Sequence, residues 1–151
     1  MRSLQEKVES LYNLDRDERL WLDIAVHELR QRLKGNGKFV ATNQFSRRRH
    51  KTTALLIVAI ENKGDIVVPF GHHQRHITEK LKAWEEAFGI EHVPKVWNLN
   101  QGLEGRTFEN GLFADELYKV DAKKIEPVLY QIRVGFMEQE GLLDLHRQGL
   151  L

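Results

Sequence analysis

The sequence contains no cysteine, which excludes a disulfide framework and a thiolate zinc site and points to a reducing, cytoplasmic setting. It also lacks any apolar run near the about 18 residues a membrane span requires, so no membrane partner is expected. The opening Met1-Arg2-Ser3-Leu4-Gln5-Glu6 becomes charged and amphipathic at once, with no signal core. A third absence is local. Between Leu29 and Ile60 there is no aspartate or glutamate, although Arg30, Arg32, Lys34, Lys38, Arg47, Arg48, Arg49 and Lys51 all fall there.

That segment stands out against a formal charge of +1 for the chain, because the half from Glu91 onward has more acids than bases. Unopposed cations followed by the apolar run Ala54 to Ile60 suggest positive charge mounted on a sheet and facing a polyanion. With 151 residues, the chain is expected to form one domain. Residues 1–99 would be its core, and 100–151 a Gly-rich loop with a helical extension.

The expected fold class is α+β, or mixed α/β. Leu4, Val8 and Leu11 recur at helical spacing. Asp15 with Glu18 three residues on predicts a capped second helix near Arg16. Its inward stripe is Leu22, Val26, Leu29 and Leu33, widened by Trp21 and Ala25, and Gly35-Asn36-Gly37 stops it. Lys38 to Phe45 reads as a strand, Ser46 to Lys51 as a basic turn, and Thr53 to Phe70 as a hairpin turning at Asn62-Lys63-Gly64-Asp65. These three strands are expected to be antiparallel. Ile77, Leu81, Trp84 and Phe88 predict an amphipathic helix packed on the sheet and ended by Gly89, and Val93 to Leu99 a short fourth strand.

Asn98 to Gly111 reads as a loop that is mobile or closes over a ligand. The C-terminal third is expected to be helical: a helix capped by Asp121 is preferred to a strand over residues 127–140, although Tyr130, Ile132, Val134 and Phe136 alternate as a strand would.

Three constellations carry candidate chemistry. The basic turn Arg47-Arg48-Arg49-His50-Lys51, with Asn43 and Gln44 before it and Lys38 upstream, suits phosphate and base-edge contacts. Glu61-Asn62-Lys63 follows an apolar run. Gly71-His72-His73-Gln74-Arg75-His76 places His72 and His76 at i, i+4 spacing for a cation such as zinc or for a phosphate, with Arg75 a further phosphate contact. The Gly-containing stretch Asn98 to Arg106 matches neither the Lys-Ser/Thr phosphate loop nor the G-x-G-x-x-G fingerprint, and there is no serine nucleophile elbow.

The order helix, strand, apolar strand, Glu61-Asn62-Lys63, short strand, helix ending at Phe88-Gly89, then Val93-Pro94-Lys95-Val96 resembles the core of the PD-(D/E)XK nuclease superfamily, including Holliday-junction resolvases. The resemblance covers about Asp15 to Leu99 and lacks the superfamily's strand aspartate. It implies that Glu61 and Glu28 bind Mg²⁺, that Lys63 positions the attacking water, and that Glu18 or Glu28 supplies the helix acid.

The expected function is accordingly nucleic-acid binding, with DNA the expected partner, and Mg²⁺-dependent phosphodiester cleavage as its enzymatic form; a homo-oligomer is one arrangement allowed for. Two alternatives stand beside it. One is a non-enzymatic interaction module of the phage or plasmid accessory type, docking through Trp84, Trp97 and the C-terminal leucines; the other is a metal-independent, His-dependent ribonuclease.

Overall fold

The computed structural model of the chain describes residues 2–35, 37–42, 50–117 and 122–151. Two capping boxes open it. Ser3 Oγ accepts from the Glu6 amide at 3.1 Å to start α1 (Leu4–Leu11), and Asp15 Oδ1 accepts from the Glu18 amide at 2.8 Å to start α2 (Arg16–Lys34). The second is the box read from the sequence. The predicted stripe buries Leu22, Ala25, Val26 and Leu29, with Leu33 packed at its margin.

After the short strand β1 (Phe39–Ala41) the expected hairpin is replaced by a helix, α3 (Lys51–Glu61). Every residue from Thr53 to Ala59 is buried. A helix covered on all sides has no polar face, and its sequence loses the 3.6-residue period that would distinguish it from a buried strand. The supposed hairpin turn is this helix's C-cap: the Lys63 amide donates to Ile60 O at 3.2 Å and the Gly64 amide to Ala59 O at 3.1 Å, with Lys63 in the left-handed region at φ 56°.

The chain continues through β2 (Asp65–Val68), α4 (Gly71–Phe88) with Gly89 as its left-handed cap at φ 66°, and β3 (Val96–Asn98). A single 3₁₀ turn at Leu99–Gln101 leads into the predicted loop. Then come β4 (Leu112–Ala114), α5 (Ala122–Leu129), β5 (Ile132–Met137) and α6 (Gln139–Arg147). The alternation Ile132, Val134, Phe136 therefore forms a strand, correcting the helix preferred for residues 127–140. The proposed cap Asp121 lies outside the described residues. Gly135 has a clear steric reason, since a Cβ there would collide with the Ala114 carbonyl on the neighbouring strand.

Helices and strands mix as the α+β class requires, but the sheet has five strands in the order β1-β5-β4-β2-β3, and every pairing is parallel. The antiparallel expectation fails because a helix, not a turn, connects β1 to β2. The faces follow alternation except at β5, where a register shift against β4 sets Ile132 and Val134 on opposite sides: Val40, Ile66, Val68, Phe113, Val134 and Phe136 pack with α2, α3 and α4. Phe39, Val67, Leu112, Ala114, Ile132 and Met137 pack on the other face with α5 and α6. Trp84 is fully buried in the first core, as its helical period predicts. In such a sheet ligands favour the crevice beyond the carboxyl ends of the strands. No helix among the described residues is long and apolar enough to cross a membrane.

Candidate phosphate-binding site

The amino end of α3 lies at that carboxyl edge, beside the residues that follow β4. His50, its N-cap, has φ 57° and ψ 33°, a left-handed conformation a glycine would take freely. Among the described residues no side chain caps the helix, and its first turn contains no acid. The first amide groups of such a helix face outward and carry partial positive charge. Lys51, buried in the same turn, adds a full one. A cation at a helix N-terminus is unfavourable unless an anion joins it.

Glu116 pairs with that lysine. Its Oε1 lies 3.6 Å from Lys51 Nζ and its Oε2 3.9 Å from His73 Nε2. Glu116 also has φ 49°, a strained conformation for a side-chain-bearing residue and one that collects at functional sites. Beside it Asp115, only 3% exposed, accepts a hydrogen bond from Thr52 Oγ1 at 2.9 Å through Oδ2. Its other oxygen, Oδ1, is buried with no hydrogen-bond partner among the described residues. Burial, then the neighbouring Glu116, push the Asp115 carboxyl up to about 6, against the pull of the Thr52 hydrogen bond, Lys51 and Lys80. His73 is held below its ordinary value by burial and then by His72, with Glu116 opposing.

Glu18, His50, Lys51, Thr52, Thr53, Lys80 and Glu116 enclose a cavity of about 410 Å³. His50 Nε2 lies 3.2 Å from Glu18 Oε2 across its rim. A larger cavity of about 610 Å³ runs between α4 and the edge strand β3, past Leu81, Val96 and Trp97.

Of the described residues singled out from the sequence, Glu18, His50 and Lys51 line this cavity, and His73 reaches its Glu116. Glu61 is at the far end of α3, roughly 15 Å away for a helix of this length, where it pairs with Arg30 (Arg30 Nε to Glu61 Oε2, 3.2 Å). Lys63 sits in the C-cap beyond it, its carbonyl accepting from Asn110 Nδ2 at 3.1 Å. Glu28 is half-buried along α2. Glu61 and Lys63 thus end a helix instead of a strand, and do not share a centre with Glu18. Among the described residues no three His, Asp or Glu side chains converge as a metal cluster, Glu28 and Glu61 included.

The acid-free segment is likewise divided. Lys38 is engaged within the fold: its ammonium donates to Leu129 O and Ile132 O, both at 2.9 Å, and burial lowers its pKa. Arg30 is paired and Lys51 buried, while Arg75 is exposed on α4. Asn43, Gln44, Arg47, Arg48 and Arg49 lie outside the described residues. Sequence reasoning missed Thr52, Lys80, Asp115 and Glu116. The signal was a Lys-Thr pair opening a buried apolar helix, together with an apolar run ending in Asp-Glu.

Comparison of the chain with protein-family models, with curated proteins and with solved structures returns no match.

Proposed function

We propose that the protein binds a nucleoside triphosphate through its phosphate chain at the amino end of α3 and hydrolyses it with the help of Mg²⁺. The observation that carries this reading is the 2.9 Å hydrogen bond from Thr52 Oγ1 to Asp115 Oδ2, which joins the first turn of the helix after β1 to the carboxyl end of β4. Phosphate-loop nucleotidases use such a pair, a Ser or Thr following the loop lysine and an Asp ending a neighbouring strand, to hold the metal. In sequence, Phe45 to Thr52 has the length of G-x-x-x-x-G-K-[ST], with Phe45 and His50 at the two glycine positions. His50 takes the backbone conformation that favours glycine there.

The roles follow from the chemistry. Lys51 and the first-turn amides of α3 suit phosphate oxygens, an exchange in which the lysine leaves Glu116 for the ligand. The hard oxygens of Thr52 and Asp115, including the partnerless Oδ1, fit Mg²⁺, which retains waters and takes its other ligands from phosphate. That ion would neutralise charge on the phosphates. Glu116, released from Lys51, accepts a proton from the water that attacks the terminal phosphorus as the bond to the diphosphate breaks. Of the described cations proposed for nucleic-acid binding from the acid-free segment, Lys38 and Lys51 are engaged within the fold or the cavity.

The test is an equilibrium titration with fluorescent ATP and GTP analogues, with and without Mg²⁺, on the parent and Lys51→Ala proteins. Binding that needs Lys51 and tightens with Mg²⁺ is expected. No binding at millimolar nucleotide, or equal binding by Lys51→Ala, would overturn the reading.

A further inference from the structure

Lys80 reaches the phosphate cavity from a different element than the other residues of the site. It projects from the flank of α4, whose Ile77, Leu81 and Trp84 face the core. Its Nζ donates to Thr53 Oγ1 at 2.8 Å and lies 5.2 Å from the centre of the Tyr12 ring and 5.9 Å from that of Trp84. Tyr12 is itself fixed, its hydroxyl accepting from Trp84 Nε1 at 2.7 Å. Two aromatic faces and one hydroxyl thus hold an ammonium in place.

An ammonium has three N–H donors. The bond to Thr53 is the one hydrogen bond Lys80 makes among the described residues. The group lines the cavity shared by Lys51, Thr52 and Glu116, and it is near enough to Asp115 for each charge to affect the other. Lys80 is half-buried, and the cavity it lines leaves its remaining donors room to meet an anion. Burial holds this one below its ordinary pKa, with Asp115 opposing that shift.

We infer that Lys80 is the second cation of the site and contacts the terminal phosphoryl group, making the site selective for a nucleoside triphosphate over the diphosphate and stabilising charge as that group is transferred. The inference rests on the phosphate-site reading above, and it adds the residue that distinguishes the substrate from its product. Lys51 alone, together with a helix N-terminus, would serve any phosphate. A second cation, held on α4 by Thr53 and the Tyr12 and Trp84 rings, gives the extra phosphoryl group a partner of its own.

The experiment compares the parent with Lys80→Met, Lys80→Gln and Lys80→Arg, so that the result does not depend on one variant folding. Affinities for Mg-ATP and Mg-ADP, single-turnover hydrolysis and the thermal midpoint are measured for each. Both neutral variants should lose about tenfold or more in triphosphate affinity. Their diphosphate affinity should stay at the parent value, and hydrolysis should slow by about 10²-fold or more; Lys80→Arg should recover part of both losses. Equal loss of both nucleotides would make Lys80 a structural residue and overturn the inference, as would neutral variants that hydrolyse at the parent rate. A parent that binds neither nucleotide would remove the phosphate site itself, and this inference with it.

Discussion

The two ends of α3 are both polar and both crowded with charge, yet they treat that charge differently. At the carboxyl end Glu61 meets Arg30 in a partly exposed ion pair, Asn62 bonds back to Val58 O at 2.7 Å, and Asp65 takes the Trp97 indole at 3.1 Å. These groups have partners, and they hold the helix to its neighbours. At the amino end Asp115 is buried with one oxygen unpaired, Lys51 is sunk beside a glutamate in strained backbone, and Lys80 has donors unused among the described residues. Buried charge that keeps unused hydrogen-bonding capacity beside a cavity points to a ligand, whereas paired surface charge points to attachment.

The comparison sharpens most at Glu116. With its carboxylate as proton acceptor, Glu116→Gln should retain Mg-nucleotide binding while hydrolysis falls by about 10²- to 10⁴-fold. Parallel titration and phosphate-release assays separate the two effects. Loss of binding with no separate loss of rate would reduce Glu116 to a holder of Lys51.

Asp115 should show what the unpaired charge costs the fold. Its carboxyl is raised from 3.8 to about 6, so it holds its proton more tightly folded than unfolded. The associated stability is fully present below about 3.8 and is lost as pH rises through about 6. Asp115→Asn keeps an acceptor for Thr52 and removes the ionisation. It should be more stable than the parent at pH 7, by up to about 3 kcal/mol, with the difference shrinking toward pH 4. Denaturant melts across that range check it. A variant less stable than the parent at every pH would mean that the charge is well compensated.

Smaller effects belong to the other end of the helix. Glu61→Gln should cost less than about 1 kcal/mol, as expected for a partly exposed pair. Lys63→Gly, relieving a left-handed side chain at φ 56°, should gain about 1 kcal/mol. Neither should change nucleotide affinity in the titration that tests Lys51. If either does, the carboxyl end is not the passive one.

The sequence made the edges of this architecture readable and hid its centre. Asp15 with Glu18, the Ile77 to Phe88 stripe and Gly89 each act through neighbours three or four residues away, so local pattern sufficed for α2 and α4. Thr53 to Ala59 is buried between other elements, and nothing in its local pattern says so. Reading it as a strand moved Glu61-Asn62-Lys63 from a helix cap to a strand end, and the candidate chemistry moved with it. His50 at a glycine position concealed the Lys51-Thr52 signal, while the Thr52 to Asp115 contact spans 63 residues and becomes visible only once β4 is inserted between β5 and β2. Of the acid-free segment, the sequence showed the charge but not that Arg30, Lys38 and Lys51 have separate structural fates.

The most direct test is phosphate release from Mg-ATP and Mg-GTP by three proteins: the parent, Lys51→Ala, and the double variant Glu61→Gln/Lys63→Ala. The account predicts that the parent and the double variant turn over alike and that Lys51→Ala does not. Turnover that survives loss of Lys51 but vanishes with Glu61 and Lys63, or no turnover in the parent with either nucleotide, would contradict it.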